Sequence, residues 1–350
     1  MDEPVILRQF LGMPRYMVNL IELAHVVDLL DRYASRGVVD RALNAAEIDR
    51  AMLGQAQCFV PYSAEAMVVE TVARAIGDRH LGARLGRDFD YLAYGSYADF
   101  VLGAPDLATA LDRGRRALMC THPGSDIGLR QTGRHIVVGR NSSGLSAIGH
   151  RHLDEGAIFV IANVARHFLG ADWRPDWVEL PGTVKEPNAE LGRMMRAPVR
   201  MGSAMPGVAI RLSELGTFNP RPPAPDRTLS LDALAKLMGV APSQSMPDAV
   251  LHSLRINLVT GIASEAVVAR QLALGPRTLQ RALEKEGTSF RELRARFIRD
   301  EACRLLAEGD MRIDDIGKRL GYTEPRSFRR AFKTWTGLSP RQYRTTARDA

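Results

Sequence analysis

Residues 314–344, DDIGKRLGYTEPRSFRRAFKTWTGLSPRQYR, read as a helix, a tight turn, a second helix and a stop. Ile313, Ile316 and Leu320 fall at i, i+3 and i+7, one face of a short helix that Gly321 can end in a left-handed conformation. The next helix starts near Glu324-Pro325. Winding Arg326 to Trp335 at roughly 100° per residue gathers Phe328, Ala331, Phe332 and Trp335 within an arc of about 100°. Arg326, Arg329, Arg330 and Lys333 take the opposite arc. Like charges at i, i+3 and i+4 repel by a few tenths of a kcal/mol per pair, so this face calls for a polyanionic counterpart.

A helix, a Gly-containing turn and a second helix with a basic outer face is the layout of a helix-turn-helix, whose second helix enters the DNA major groove. The pattern occurs twice. Val268-Ala-Arg-Gln-Leu272 corresponds to Ile316-Gly-Lys-Arg-Leu320, and Arg277-Thr-Leu-Gln-Arg-Ala-Leu283 to Arg326-Ser-Phe-Arg-Arg-Ala-Phe332. In the first copy Leu279, Ala282 and Leu283 face inward while Arg277, Gln280, Arg281 and Glu284 face outward. Gln280 and Arg281 are residue types that pair with base edges, which suits this helix to reading sequence, whereas the second helix is purely cationic. Thr278 and Ser327 hold matching positions in the two copies and complete the expected DNA-contact set.

These residues carry a family resemblance. Leu320-Gly-Tyr322, Ser327-Phe328, Phe332-Lys333, Gly337-Leu-Ser-Pro340 and Tyr343-Arg344, with the tandem arrangement, resemble the AraC/XylS-type bacterial transcriptional regulators over about the last hundred residues. Gly317 departs from the family's usual alanine, a change that should cost about 1 kcal/mol of helix stability. Between the two units, Ser289-Phe-Arg-Glu292 is a capping box opening a connecting helix that Gly309 can end. A stiff connector lets two recognition helices meet successive major grooves about 34 Å apart.

Charge is segregated along the chain. The whole carries 47 Lys+Arg and 40 Asp+Glu, net +7, and the excess falls in the last hundred residues, the footprint of a nucleic-acid module beside a near-neutral partner. The 350 residues, 45% hydrophobic and 25% charged, match ordinary globular composition and two domains. No stretch reaches about eighteen consecutive apolar residues, and the acidic start MDEPVILRQF lacks a secretory pattern. Cys58, Cys120 and Cys303 are unclustered and read as reduced structural thiols, which places the chain in the cytoplasm.

The N-terminal part is expected to be α+β. Helices are expected over residues 17–30, 45–53, 63–76 with Ser63 as cap, 105–120 and 153–168, and residues 91–102 are apolar and small. Short alternating runs over 127–129, 135–138, 145–149, 176–180, 199–202 and 208–212 read as strands. Gly77-Asp-Arg-His-Leu-Gly82, Leu85-Gly86, Pro105 to Leu111 and Trp173 to Val178 resemble the arabinose-binding-domain-like effector domain of one branch of the family. That resemblance implies a small-molecule effector in a mostly apolar pocket, whose lining residues are unassigned. Residues 217–230, TFNPRPPAPDRTLS, read as a proline-rich linker. The expected organisation is therefore multidomain: residues 1–216 an α+β effector domain, 217–247 linker and short helix, and 248–350 an all-α domain with two helix-turn-helix motifs.

Two other readings compete. His150 and His152, at i and i+2 on one strand face, could with His135 and His167 make a metal site for an enzyme. Against this, the sequence has no HExxH, CxxC pair, GxSxG or phosphate-binding Gly loop. A ligand-independent DNA-binding protein would explain the basic end but not the large neutral domain. The expected partners are double-stranded DNA and a small-molecule effector, with no membrane, catalytic set, metal or cofactor. The resemblance further implies an activator touching RNA polymerase and leaves a homodimer open.

Overall fold

The computed structural model describes residues 16–348 apart from 56–57, 142–144, 146, 184–187, 225–228, 239–244, 259–260, 262–263, 273 and 310. The chain forms two compact units, one within residues 13–241 and one within residues 242–350. In the first, β1 (Met17–Asn19) leads into α1 (Leu20–Tyr33), whose first turn is capped by the Asn19 side chain accepting from Ile21 N at 2.9 Å. α2 (Arg36–Ala45) and β2 (Phe59–Pro61), antiparallel to β1, precede α3 (Tyr62–Ile76), which Gly77 ends at φ 71°. α4 (Leu81–Asp88), α5 (Ser96–Leu102) and α6 (Leu107–Ala117) follow.

Next comes the hairpin of β3 (Asp126–Thr132) and β4 (His135–Asn141), then α7 (His150–Leu169), β5 (Val178–Leu180), α8 (Ala189–Met195), β6 (Val199–Met201), β7 (Gly207–Arg211) and α9 (Leu231–Met238). The five strands β3 to β7 form one sheet in the order β3-β4-β7-β5-β6, antiparallel except for β5 beside β6. α7 packs on this sheet and is crossed closely by α4. The closeness rests on glycine: a Cβ on Gly82 would lie 2.2 Å from the His152 carbonyl oxygen, and one on Gly86 2.5 Å from that of Gly156.

Several local expectations change. The helix expected over 17–30 begins only at Leu20, because Met17–Asn19 pairs with Phe59–Pro61. The one expected over 45–53 lies instead at Arg36–Ala45; Glu47 then turns the chain with φ 57° and a single tight turn follows at Arg50–Gly54. Ser63 is not a cap, since α3 starts one residue earlier. The helix expected over 105–120 is capped by Asp106, which accepts from Thr109 N at 2.7 Å. The described residues within 145–149 form no strand; Gly149, at φ 85°, begins α7. Residues 217–223 and α9 are not free linker. Asn219 is buried and donates to the carbonyls of Leu102 and Ala104 at 2.7 and 2.8 Å, and Leu234 and Met238 are buried.

The second unit is all helical. α10 (Met246–Asn257) is capped by Ser245 with Pro247 in its first turn. α11 (Glu265–Gln271), α12 (Pro276–Lys285), α13 (Phe290–Glu308), α14 (Ile313–Arg319), α15 (Pro325–Thr336) and α16 (Pro340–Arg348) complete it. One hydrophobic core joins α10 to α15 through Leu254, Val268, Leu279, Leu283, Phe297, Leu306, Ile316, Phe328 and Phe332. The Ser289/Glu292 capping box at α13 is present on both sides, Glu292 N donating to Ser289 Oγ and Ser289 N to Glu292 Oε2. Gly309 follows α13 in an extended conformation, not the left-handed one.

Candidate nucleic-acid interface and effector cavity

Each half of the second unit builds the same device. In α12, Pro276 opens the helix, Leu279 and Leu283 are fully buried against Val268 and Ala269 of α11, and Arg277, Thr278, Gln280, Arg281 and Glu284 are exposed. In α15, Pro325 opens the helix, Phe328 and Phe332 are fully buried, Arg326, Arg329, Arg330 and Lys333 are exposed, and Ser327 is half-buried. Gly321, at φ 82°, makes the turn between α14 and α15. The division of α12 and α15 into apolar and polar faces follows from the 3.6-residue period, and it presents each of the nine expected DNA-contact residues at least partly to solvent.

Gly317 has a packing reason. A Cβ there would come within 3.1–3.2 Å of Phe328, whose ring sits 5.9 Å from Phe332 and 5.5 Å from Tyr322. The glycine lets α14 approach α15 where alanine would require Phe328 to shift by a few tenths of an ångström. One basic side chain is not independent. Arg329 Nη2 donates to Asp314 Oδ1 at 2.5 Å, bracing α15 against α14. Among the described residues no hydrogen bond or ion pair engages the side chains of Arg277, Gln280, Arg281, Arg326, Arg330 or Lys333, so these extend freely from the surface. Nothing in the sequence separated Arg329 from its neighbours, because its partner lies across a turn.

The first unit contains a cavity of about 70 Å³ between α5, α6, α7 and the hairpin. Val101, Leu111, Leu118, Val138, Ile161 and Val164 supply apolar wall, and Tyr91, Tyr94 and Tyr97 stack edge to face or tilted with centroids 5.3–6.3 Å apart. Burial pushes all three phenols upward in pKa, so they serve as neutral hydrogen-bonding groups. At the polar end stand Thr121, His122 and Arg140, and Arg140 also lines a second, smaller cavity with Glu22, Glu65 and Tyr62. His122 Nε2 lies 2.8 Å from Glu22 Oε2, both side chains buried. Sequence reasoning assigned none of these residues. The readable signal was Arg140, a cation two positions after Val138 on a strand whose alternate residues face the core.

The histidines raised as metal ligands are dispersed. His150 and His152 lie on a helix, not a strand, which turns them to different sides; His150 faces Asp154 at 3.4 Å and His152 faces Glu70 at 3.1 Å. His135 pairs with Asp176 and His167 with Asn219. Among the described residues no cluster of three or more His, Cys, Asp or Glu is placed to hold a metal. No helix among them is long and apolar enough to cross a membrane.

Comparison with known proteins places both units. Residues 37–217 match the family described as the arabinose-binding N-terminal domain of AraC transcription regulators, and residues 268–346 match a helix-turn-helix domain family. The chain is 38% identical over 100 residues to the HTH-type transcriptional regulator VirS of Mycobacterium tuberculosis, covering 29% of each. It is 35% identical over 83 residues to the HTH-type transcriptional regulator VqsM of Pseudomonas aeruginosa, covering 24% of this chain and 26% of that one. The aligned part is thus under a third of those curated relatives. The crystal structure of the transcriptional regulator CdpR from Pseudomonas aeruginosa aligns over 88% of this chain and 96% of its own, at 20% identity and a TM-score of 0.40.

Proposed function

Because the chain belongs to the AraC family of transcription regulators, with that family's effector domain over residues 37–217, we propose that it is a ligand-responsive, sequence-specific DNA-binding regulator. The observation that carries this reading is the pair of helices α12 and α15, each buried on one face and bearing free polar and cationic side chains on the other. α12 reads base edges through Gln280 and Arg281; α15 grips phosphates through Arg326, Arg330 and Lys333. The effector occupies the cavity beside Arg140 and biases the chain between DNA-binding states. Action as an activator that contacts RNA polymerase in the cytoplasm, without catalysis, completes the reading.

The test is selection of bound duplexes from a random pool by the full chain. A site with one informative segment, read by α12, and a sequence-tolerant contacted segment about one helical turn away is expected. Recovery of no preferred sequence contradicts the proposal.

A further inference from the structure

The chemistry of the effector is written in the surroundings of Arg140, and the inference below rests on reading that cavity as the effector site. Arg140 is 7% exposed. Its Nη2 donates to the Leu153 carbonyl at 2.9 Å, and its guanidinium carbon stands 4.8 Å over the Tyr62 ring. Among the described residues its Nε–H has no acceptor and no carboxylate lies within ion-pair distance of it. A buried guanidinium with no carboxylate in direct contact is a costly arrangement, and the Glu22 and Asp154 charges that favour its ionised form act from beyond ion-pair distance.

The neighbouring acids do not fill that role. Glu22 is engaged by His122. Burial drives the carboxyls of Glu65 and Asp154 toward their neutral forms, helped at Glu65 by the nearby Glu22 charge and opposed at both by the Arg140 charge, which does not outweigh it. Among the described residues Glu65 Oε2 is itself buried without a hydrogen-bond partner.

We propose that the effector is a monocarboxylic acid with an apolar body, its carboxylate seated against Arg140 and its body lying along Leu118, Val138 and Ile161 beneath the tyrosines. A planar carboxylate matches the guanidinium, whereas an ammonium group would be repelled. A phosphate dianion would leave oxygens against hydrocarbon. A pentose would strand several hydroxyls on the same walls, so although the matched family is described by arabinose, the cavity of this chain is unsuited to it.

Calorimetric titration of the full chain with butanoate, octanoate, dodecanoate and 3-phenylpropanoate, each beside its alcohol and amine, and with L-arabinose, tests this. At least one acid should bind saturably and its alcohol and amine roughly ten- to a hundredfold more weakly. Arg140→Met should reduce the acid to the level of its alcohol and Arg140→Lys should restore part of the difference; if neither variant folds, the wild-type series decides. Ala157→Phe, which fills the cavity, should abolish binding. An alcohol that binds as tightly as its acid, and is lost in Ala157→Phe, overturns the carboxylate while leaving the cavity as effector site. Binding untouched by Ala157→Phe, binding of arabinose in place of the acids, or no binding at all overturns the proposal, and the first of these overturns the cavity reading as well.

Discussion

Arg329 is held by Asp314 across the turn between α14 and α15, Nη2 to Oδ1 at 2.5 Å, and this pairing sets it apart from the other cations of the same face. With side-chain exposures of 52% and 38%, the pair contributes little to stability, about 0–1 kcal/mol. Its effect on DNA is larger. Asp314→Asn should release Arg329 to a phosphate, raise affinity for all duplexes alike and steepen the log–log salt dependence by about 0.9. An unchanged slope would mean that Arg329 already contacts DNA while paired, or never does.

The crossing of α4 and α7 depends on glycine in graded fashion. Gly82→Ala puts a methyl group 2.2 Å from backbone and should destabilise the first unit by about 3 kcal/mol; Gly156→Ala, whose nearest contact would be 3.3 Å, should cost clearly less. Urea unfolding of the two variants beside wild type checks the order. Equal losses would show that helix propensity, not the close approach, governs the site.

His152 lies at the same crossing. Gly82 N–H donates to its Nδ1 at 3.2 Å, so the neutral ring carries its proton on Nε2 and gives it to Glu70 at 3.1 Å. Burial lowers its pKa below the usual 6.5. The unfolded chain therefore takes up this proton first: the contribution to stability is fully present above about pH 6.5 and is lost as pH falls through the folded value. His152→Gln, which keeps an acceptor for Gly82, should flatten the fall of stability in that window. Identical pH profiles for variant and wild type would remove His152 as its source.

How much of this was legible in the sequence differs between the two units. α12 and α15 could be read because Pro276, Pro325, Gly321 and the spacing of Leu279, Leu283, Phe328 and Phe332 are local signals that agree with the packing. In the first unit the decisive terms are non-local. Met17–Asn19 has helical neighbours and became a strand because Phe59–Pro61 pairs with it, and the 217–223 segment became part of the unit because Asn219 meets two carbonyls more than a hundred residues away. His150 and His152 were misplaced because a helix start at Gly149 carries no capping side chain. The cavity was illegible as a whole: its residues come from several separate elements, and only Arg140, charged at a core-facing strand position, broke the local pattern.

The second unit has its own continuous core from Met246 to Phe332, so a fragment of residues 245–350 should fold alone, unfold cooperatively and bind DNA. Circular dichroism with thermal melting and a mobility assay at low salt check this. A helical, soluble fragment without DNA affinity contradicts the assignment of the interface.

The central claim is that α12 reads sequence and α15 supplies charge. The most direct measurement is a salt series of binding constants for wild type, Arg281→Ala and Lys333→Ala on the selected site and on random duplex. Arg281→Ala should lose about 1–3 kcal/mol of preference for the selected site while binding random DNA nearly as wild type does. Lys333→Ala should weaken both duplexes alike and flatten the slope by about 0.9. If Arg281→Ala instead weakens both duplexes equally while Lys333→Ala abolishes only the preference, the roles assigned to the two helices are contradicted.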